Sequence, residues 1–254
     1  MAGTKEIRRV GLARALSKLG YCSRSQAAEL VRAGRVRLNG ATQRDPETPV
    51  RLGSDRMDVD ERSVGQGERI YLMLNKPRGV VTTALDEKGR ETVYAALGDD
   101  LPWVAPVGRL DKASEGLLLL TNDSEWAARI IAPESHIDKT YHVQVGTLAD
   151  AGLTESLVRG FRVASGEILR VKSAEILRHG ERNTWLTVVL DEGKNRHIRR
   201  MFEAKGIEVL RLVRVAIGPL LLGALPKGSH RTLDKDEKSA LDDAIAKKAR
   251  TRKG

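Results

Sequence analysis

From Ile70 to Ile217 the chain alternates short apolar runs with turn residues, and this pattern constrains the fold more than any other feature of the sequence. The runs are typical of strands, at 70–74, 80–81, 117–120, 141–145, 185–190 and 209–217. Helical segments between them, over 125–131 and after Asn195, are too few for repeated βαβ units. The pattern therefore predicts an α+β domain with a mainly antiparallel sheet flanked by helices.

The first 40 residues follow a different pattern. Leucines at helical spacing lead to Gly20, and Ser23 with Gln26 forms a capping box at the start of a second helix. Basic and apolar residues then alternate over 35–38, as in a half-buried strand, before the type I′ turn signal Asn39-Gly40. We therefore predict a small helix–helix–strand domain, which a strand at 57–59 would close.

Changes in pattern and composition give the domain limits. We predict a small basic domain over 1–62, a linker of turn-forming residues over 63–68 and the sheet domain over 69–232. The last segment, 233–254, is polar, with basic residues concentrated at its end. We expect a mobile tail there.

Charge and composition narrow the classes of partner and site. The formal net charge of +10 favours a polyanionic partner. The single cysteine excludes an internal disulfide framework and a zinc site of paired cysteines, and we predict no metal. No apolar run approaches the ~18 residues that span a bilayer, and charged residues interrupt the first 20 positions. A cytoplasmic protein without a membrane partner is therefore expected.

Residues 10–62 resemble an S4 RNA-binding domain. The match is carried by Ala15–Gly40, which includes the capping box, the basic strand and the turn described above. The resemblance implies that guanidinium groups bind phosphates of a structured RNA, whereas the alternative is a solvated basic surface. The arginines that would bind are Arg14, Arg24, Arg32, Arg35 and Arg37.

A second segment, Val107–Asp123, places an aspartate just before a glycine-rich entry to a buried strand. An acid at this position can reach a substrate from a rigid backbone, whereas the alternative is a turn aspartate that bonds nearby amides. The core Gly108-Arg109-Leu110-Asp111 resembles the catalytic motif of bacterial ribosomal RNA pseudouridine synthases of the small-subunit-enzyme type. Ser114 stands where many members of that family carry threonine, which keeps the hydroxyl.

Further motifs of the same family occur in the same order. The segment 75–79 resembles its first motif, 139–141 its tyrosine motif and 192–201 its late basic motif, and the likeness continues over 210–219. His197 replaces the glutamine that is usual in the late motif. With the S4-like segment, the resemblance covers nearly all of residues 10–232.

The resemblance implies an isomerase that converts a specific uridine of ribosomal RNA to pseudouridine without a cofactor. Asp111 would be the nucleophile and would attack either the base or the sugar. Arg199 would be its ion-pair partner, with Lys194 or Arg196 as alternatives, unless Arg199 binds phosphate instead. Tyr141 would stack on the flipped base, unless it is a core tyrosine.

The same resemblance implies a basic RNA-binding cleft continuous with the S4-like domain, in a protein expected to be a monomer. Besides the arginines of that domain, its members would be Lys76, Arg109, Lys194, Arg196, Arg200 and Arg214. Arg109 and Lys76 could instead hold the catalytic loop. The ribosomal RNA would be bound alone or within an assembling subunit. The alternatives are a non-catalytic S4-type assembly factor and a metal-dependent nuclease. The nuclease would need a carboxylate and histidine cluster with ligand spacing, which the sequence lacks.

Overall fold

A computed structural model describes residues 9–65, 67–83, 89–98 and 101–251 of the chain. The chain divides into two compact units, the first covering 1–71, 99–105 and 120–127 and the second covering 72–98, 106–119 and 128–254. Four of the basic residues near the two ends of the chain lie outside the described residues: Lys5, Arg8, Arg252 and Lys253.

The first unit contains two short helices and small antiparallel strand pairs. The helices are α1 Leu12–Lys18 and α2 Arg24–Arg32, and the strands are β1 Val10–Gly11, β2 Val36–Leu38, β3 Ala41–Gln43, β4 Pro49–Val50, β5 Met57–Val59 and β6 Arg62–Ser63. β1 pairs with β4, and the other four form a sheet in the order β3-β2-β5-β6. The helix–helix–strand arrangement therefore agrees with the local sequence signals.

Two of those signals have the predicted geometry. The Ser23 hydroxyl accepts the Gln26 N–H at 3.1 Å, and the Gln26 side chain accepts the Ser23 N–H at 3.0 Å, which is a complete capping box. Asn39 and Gly40 have φ of 51° and 85°, as a type I′ turn requires. The core beneath them is formed by buried apolar residues of α1, α2, β2 and β5.

Residues 68–71 are fastened inside the first unit by Asn122. Its side chain accepts the Ile70 N–H at 2.9 Å and donates to the Glu68 carbonyl at 2.8 Å. The Arg69 guanidinium donates to the carbonyls of Asn122 and Lys18, at 3.1 and 3.2 Å. The end of the predicted linker is therefore hydrogen-bonded, and its predicted first residue, Ser63, belongs to β6.

From Tyr71 the chain continues with longer strands and four helices among the described residues. The strands are β7 Tyr71–Lys76, β8 Ala105–Pro106, β9 Glu115–Thr121, β10 Lys139–Val145, β11 Phe161–Arg162, β12 Ile168–Leu169, β13 Ser173–His179, β14 Thr184–Leu190, β15 Val209–Ile217, β16 Leu220–Leu221 and β17 His230–Thr232. The helices are α3 Ser124–Ile131, α4 Ala151–Arg159, α5 His197–Ala204 and α6 Lys235–Thr251. The strand at 209–217 has the predicted bounds.

Nine strands of the described residues form one sheet. Its order is β13-β14-β10-β15-β9-β7-β17, with β16 beside β15 and β8 beside β9. Strand pairs such as β10–β14, β10–β15 and β13–β14 are antiparallel, whereas β9 and β15 run parallel. The predicted α+β class with a mainly antiparallel sheet is confirmed.

The core of the second unit lies between this sheet and α5. Val143 of β10 and Leu186 of β14 are fully buried and belong to the same core cluster as Met201 and Phe202 of α5, which lie on the helical stripe that the sequence predicts. β9 is buried along its whole length, which explains its uninterrupted apolar run.

Two predictions about elements are wrong. Val80 and Val81 do not form a strand, since Val81 makes only an isolated bridge to Thr92. The predicted mobile tail is the helix α6 over 235–251, because Leu241 and Ile245 lie one turn apart and are both buried within an otherwise charged segment. No helix of the described residues is long and apolar enough to cross a membrane.

Candidate active site

The main chain of residues 110–114 is held at every carbonyl. The Thr82 hydroxyl donates to the Leu110 carbonyl at 2.8 Å, and the Gly79 N–H donates to the Lys112 carbonyl at 2.8 Å. The Ser114 N–H closes a turn on the Asp111 carbonyl at 2.9 Å. Two cations bind the last two carbonyls, so the segment before β9 has a fixed backbone.

The Asp111 side chain projects from this fixed backbone and is half-buried. Within the described part of the chain, its carboxylate accepts no hydrogen bond and makes no ion pair within 4.0 Å. The alternative of a turn aspartate bonding nearby amides therefore does not describe its contacts. A carboxylate on a rigid loop with both oxygens unengaged is suited to react with or bind a ligand.

Lys76 is one of the two cations that hold the loop. Its ammonium donates to the Ser114 carbonyl at 2.8 Å and to the Pro77 carbonyl at 3.0 Å, and the residue is completely buried. Burial lowers the pKa of Lys76 to about 8, although the negative charges of Asp111 and Glu115 act against this. Of the two roles that the resemblance leaves open for Lys76, these contacts correspond to holding the loop, because the ammonium is enclosed and directed at the main chain.

Arg199 of α5 is the other cation. Its Nη2 donates to the Ala113 carbonyl at 2.9 Å, and its Nη1 donates to the Val209 carbonyl at 3.4 Å. Burial is the largest influence that lowers the pKa of Arg199, and the charge of Asp111 opposes it. Among the described residues, no salt bridge of 4.0 Å or less joins Arg199 to Asp111. Arg199 therefore lies at the Asp111 loop but bonds its backbone two residues further on.

Tyr141 and Arg214 are placed by strand register. Tyr141 of β10 pairs with Arg214 of β15, and its half-buried ring packs against the core of the second unit. Arg214 is 6% exposed, donates from Nε to the Leu117 carbonyl at 2.7 Å, and its enclosed Nη2 has no partner among the described residues. The Arg214 guanidinium is thus buried and anchored to the main chain of β9, unlike the exposed guanidinium groups of Arg109 and Arg196.

Gly116 permits the close approach of β9 and β15. It has φ of +99° and pairs with Arg214, and a Cβ at this position would lie 2.2 Å from the Arg214 carbonyl oxygen. Both the positive φ and the contact exclude other residues without a shift of the main chain. This glycine therefore joins the strand after Asp111 to the strand beside Tyr141.

The late basic motif supplies exposed cations around the start of α5. Arg196 is exposed, has a positive φ of 49° and forms no salt bridge with a described residue. Lys194 pairs with Glu192 at 2.7 Å and Glu167 at 3.4 Å, and Arg200 pairs with Glu167 at 2.7 Å. Two of the predicted RNA-binding cations are thus already paired with carboxylates.

His197 is enclosed at the start of α5. It is 3% exposed, and neither ring nitrogen has a hydrogen-bond partner among the described residues. Burial, followed by the charge of Lys194, lowers the pKa of His197, which keeps the ring neutral near pH 7.

Glu115 is a residue that the sequence interpretation missed. Its side chain is 3% exposed, accepts two bonds of 3.1 Å from Arg211 and contacts the Lys227 ammonium at 2.5 Å. Burial acts to raise the pKa of Glu115, but Arg211 and Lys227 together lower it below its ordinary value. The available signal was an acidic residue at the first position of the buried segment Glu115–Thr121, because a buried carboxylate needs a partner.

The arginines predicted in the first unit are all exposed. Arg24 pairs with Glu47 at 3.3 Å, Arg35 donates to Asp60 from Nε at 2.8 Å, and Arg37 lies 3.8 Å from Glu61. Arg14 and Arg32 form no salt bridge with a described residue, and neither does the exposed Arg109 of the second unit. Within the described residues, no group of three or more His, Cys, Asp or Glu side chains is placed to hold a metal ion.

Comparison with known proteins identifies two matching family models. Residues 70–204 match the model of RNA pseudouridylate synthase, and residues 10–56 match that of the S4 domain. The ribosomal large subunit pseudouridine synthase B of Bacillus subtilis is 37% identical over 227 residues, which covers 89% of this chain and 93% of that protein. An uncharacterised RNA pseudouridine synthase of Aquifex aeolicus is 35% identical over 94% of this chain and 96% of its own length.

A solved structure shows the same fold. A crystal structure of a pseudouridylate synthase superposes with a TM-score of 0.63 at 28% identity, covering 91% of this chain and 99% of the other.

Proposed function

The chain belongs to the RNA pseudouridylate synthase family and carries an S4 domain, and from this we propose that it isomerises a uridine of ribosomal RNA to pseudouridine, with Asp111 as the nucleophile. The observation that carries the assignment of Asp111 is its unengaged carboxylate on a loop whose five carbonyls are all bound. Such a loop presents one reactive group in a fixed position, which lowers the cost of orienting it.

The reaction itself defines what the site must provide. The N-glycosidic bond breaks, the uracil rotates, and C5 of the base bonds to C1′, while the C5 hydrogen leaves as a proton and N1 takes up a proton. A carboxylate that adds to the base or to the sugar and is later released leaves every atom of the enzyme unchanged. The group proposed for this role is Asp111, whose loop is held by Lys76 and Arg199 through the carbonyls of Ser114 and Ala113.

Tyr141 is proposed to receive the extruded base. Taking a uridine out of a helix or loop costs a few kcal/mol, and stacking on an aromatic ring returns roughly 1–3 kcal/mol. The half-buried ring of Tyr141 has one side against the core, which fixes its orientation. A fixed ring loses little conformational entropy when the base stacks on it.

Phosphate binding is assigned to the exposed, unpaired guanidinium groups. In the second unit these are Arg109 and Arg196, and in the first unit Arg14 and Arg32, with Arg24, Arg35 and Arg37 more weakly available because of their acidic neighbours. We propose that residues 1–62 bind RNA and residues 69–232 hold the reaction site. The Bacillus relative is named for the large ribosomal subunit, so large-subunit RNA is the substrate to test first.

The test is the release of tritium from ribosomal RNA labelled at C5 of uridine. We expect release by the wild-type protein, at an undiminished rate in chelator, because a metal-dependent nuclease would lose activity and a non-catalytic assembly factor would release nothing. Asp111→Asn should lower the rate by more than about 10³-fold and keep RNA affinity within a few-fold. The matched control is Asp243→Asn, which removes the same charge from an exposed position of α6. Equal rates for the two variants would overturn the role of Asp111.

A further inference from the structure

Glu167 lies in the hairpin between β11 and β12, directly before β12, and its side chain contacts two cations of the late basic motif. One carboxylate oxygen is 2.7 Å from Nη2 of Arg200, and the other is 3.4 Å from the ammonium of Lys194. The same Arg200 nitrogen contacts the Ser165 hydroxyl at 2.7 Å. A single carboxylate of the hairpin between β11 and β12 therefore neutralises cations before and within α5.

This cluster is at the surface, where RNA can reach it. The side chains of Glu167 and Lys194 are each 38% exposed, and that of Arg200 is 24% exposed. The hydrogen bond from Arg200 is the largest influence that lowers the pKa of Glu167, so the carboxylate stays ionised at neutral pH. Arg196, four residues before Arg200, has no such partner among the described residues.

An unpaired surface cation attracts any RNA, because the phosphate backbone is the same in target and non-target molecules. A cation held by a carboxylate contributes much less to that attraction. The pairing around Glu167 thus removes sequence-independent affinity from the surface beside Arg199. Arg196 remains as the guanidinium of this loop that is available to a phosphate.

We propose that Glu167 limits the sequence-independent RNA affinity of this surface: it holds Arg200 and Lys194 as internal partners and so weakens the binding of RNA that lacks the target. The proposal rests on the proposed function, since it takes RNA as the ligand of this surface. It acts through Arg200 above all, because Lys194 is also bound by Glu192 at 2.7 Å and stays paired when Glu167 is neutralised.

The size of the effect follows from counterion release. One additional phosphate contact steepens the dependence of log K on log salt by about 0.7 for single strands. At 0.1 M salt, one decade below 1 M, this corresponds to about 5-fold tighter binding. Glu167→Gln should therefore bind a single-stranded 20-nucleotide oligoadenylate about 5-fold more tightly in 0.1 M salt, with a steeper salt slope.

The matched control is Glu203→Gln. Glu203 is exposed on the same helix, three residues after Arg200, and its side chain has no partner among the described residues. The two variants have the same net charge, so a long-range effect of charge would change both equally. We expect less than a 2-fold change in oligoadenylate affinity for Glu203→Gln.

A second variant, Glu167→Gln with Arg200→Gln, tests the route through Arg200. Its oligoadenylate affinity and salt slope should return to those of the wild type, and thermal unfolding of all variants establishes that they are folded. Equal binding by Glu167→Gln and Glu203→Gln, or a gain that persists in the double variant, would overturn the proposal. So would a Glu167→Gln protein whose kcat for ribosomal RNA falls while its oligoadenylate affinity is unchanged, because Glu167 would then only position α5.

Oligoadenylate contains no uridine, so this measurement does not depend on turnover. Absence of tritium release by the wild type would reject the proposed function and leave the binding comparison interpretable. Normal release together with identical oligoadenylate binding by the two single variants would reject the role of Glu167 alone.

Discussion

Replacing Gly116 with alanine would force apart the parallel pair of β9 and β15. The new Cβ would lie 2.2 Å from the Arg214 carbonyl oxygen, whereas real Cβ contacts are not found below 3.0 Å. The strands would therefore have to separate by about 0.8 Å, the difference between these two distances. A backbone hydrogen bond of about 2.9 Å stretched by this amount no longer satisfies the geometry of a hydrogen bond.

The expected loss of stability has two parts. A residue with Cβ at φ of +99° costs roughly 1–3 kcal/mol. Each buried backbone group left without its partner costs about 1–3 kcal/mol more, and at least one would be lost where Gly116 meets Arg214. We therefore expect Gly116→Ala to lower the free energy of unfolding by about 2–6 kcal/mol, a large share of the stability of a typical domain.

Gly79→Ala separates the two parts. Gly79 belongs to the same compact unit and has nearly the same φ of +97°, but a Cβ there meets nothing within 4 Å. It should cost only the backbone contribution, about 1–3 kcal/mol. Urea unfolding followed by far-UV circular dichroism measures both variants. If Gly116→Ala were within about 1 kcal/mol of Gly79→Ala, the close approach of the two strands would not be a source of strain and the reasoning would be refuted.

Three further results are expected. Tyr141→Ala should weaken binding of target RNA by about 5- to 150-fold, the equivalent of 1–3 kcal/mol of stacking, and Tyr141→Phe by less than about 3-fold, in a filter-binding assay; the reverse ranking would contradict stacking. Lys76→Met tests the buried ammonium, whose pKa is about 8 in the folded protein and 10.5 in the unfolded chain. Between these values the unfolded state binds more protons, so the stability of the wild type relative to Lys76→Met should rise with pH by up to about 3 kcal/mol. A stability difference that stays constant in urea unfolding at pH 7–10.5 would show that the ammonium is not desolvated. Leu241→Ala, at a fully buried position of α6, should cost about 2–5 kcal/mol by urea unfolding, and a cost near zero would mean that α6 does not pack.

Features set by neighbouring residues could be predicted from the sequence. The capping box of Ser23 and Gln26, the turn at Asn39-Gly40 and the full length of β15 each depend on a few consecutive residues. The edge strand β13 has no such signal, because Ile176 and Leu177 are both exposed and the usual alternation is missing. α6 was missed since two buried apolar residues are a weak pattern in a charged segment.

The role of a cation depends on residues far away in the sequence. Arg199 bonds the carbonyl of Ala113, 86 residues before it, and Arg200 pairs with Glu167, 33 residues before it. A sequence motif does not distinguish a basic residue that binds phosphate from one that binds a main-chain carbonyl. The resemblance therefore predicts a reaction centre at Asp111, whereas the burial of Lys76 and Arg214 required the fold.

The bonding of residues 110–114 through their carbonyls limits how this enzyme can diverge. A main-chain bond is indifferent to the side chain, so an exposed position such as Lys112 can accept other residues at little cost. An inserted residue would instead displace every following carbonyl by about 3.3–3.6 Å and detach Arg199 and Lys76 together. This loop can therefore accept substitutions but not changes in length. A laboratory search for altered target choice would do better to randomise neighbouring segments.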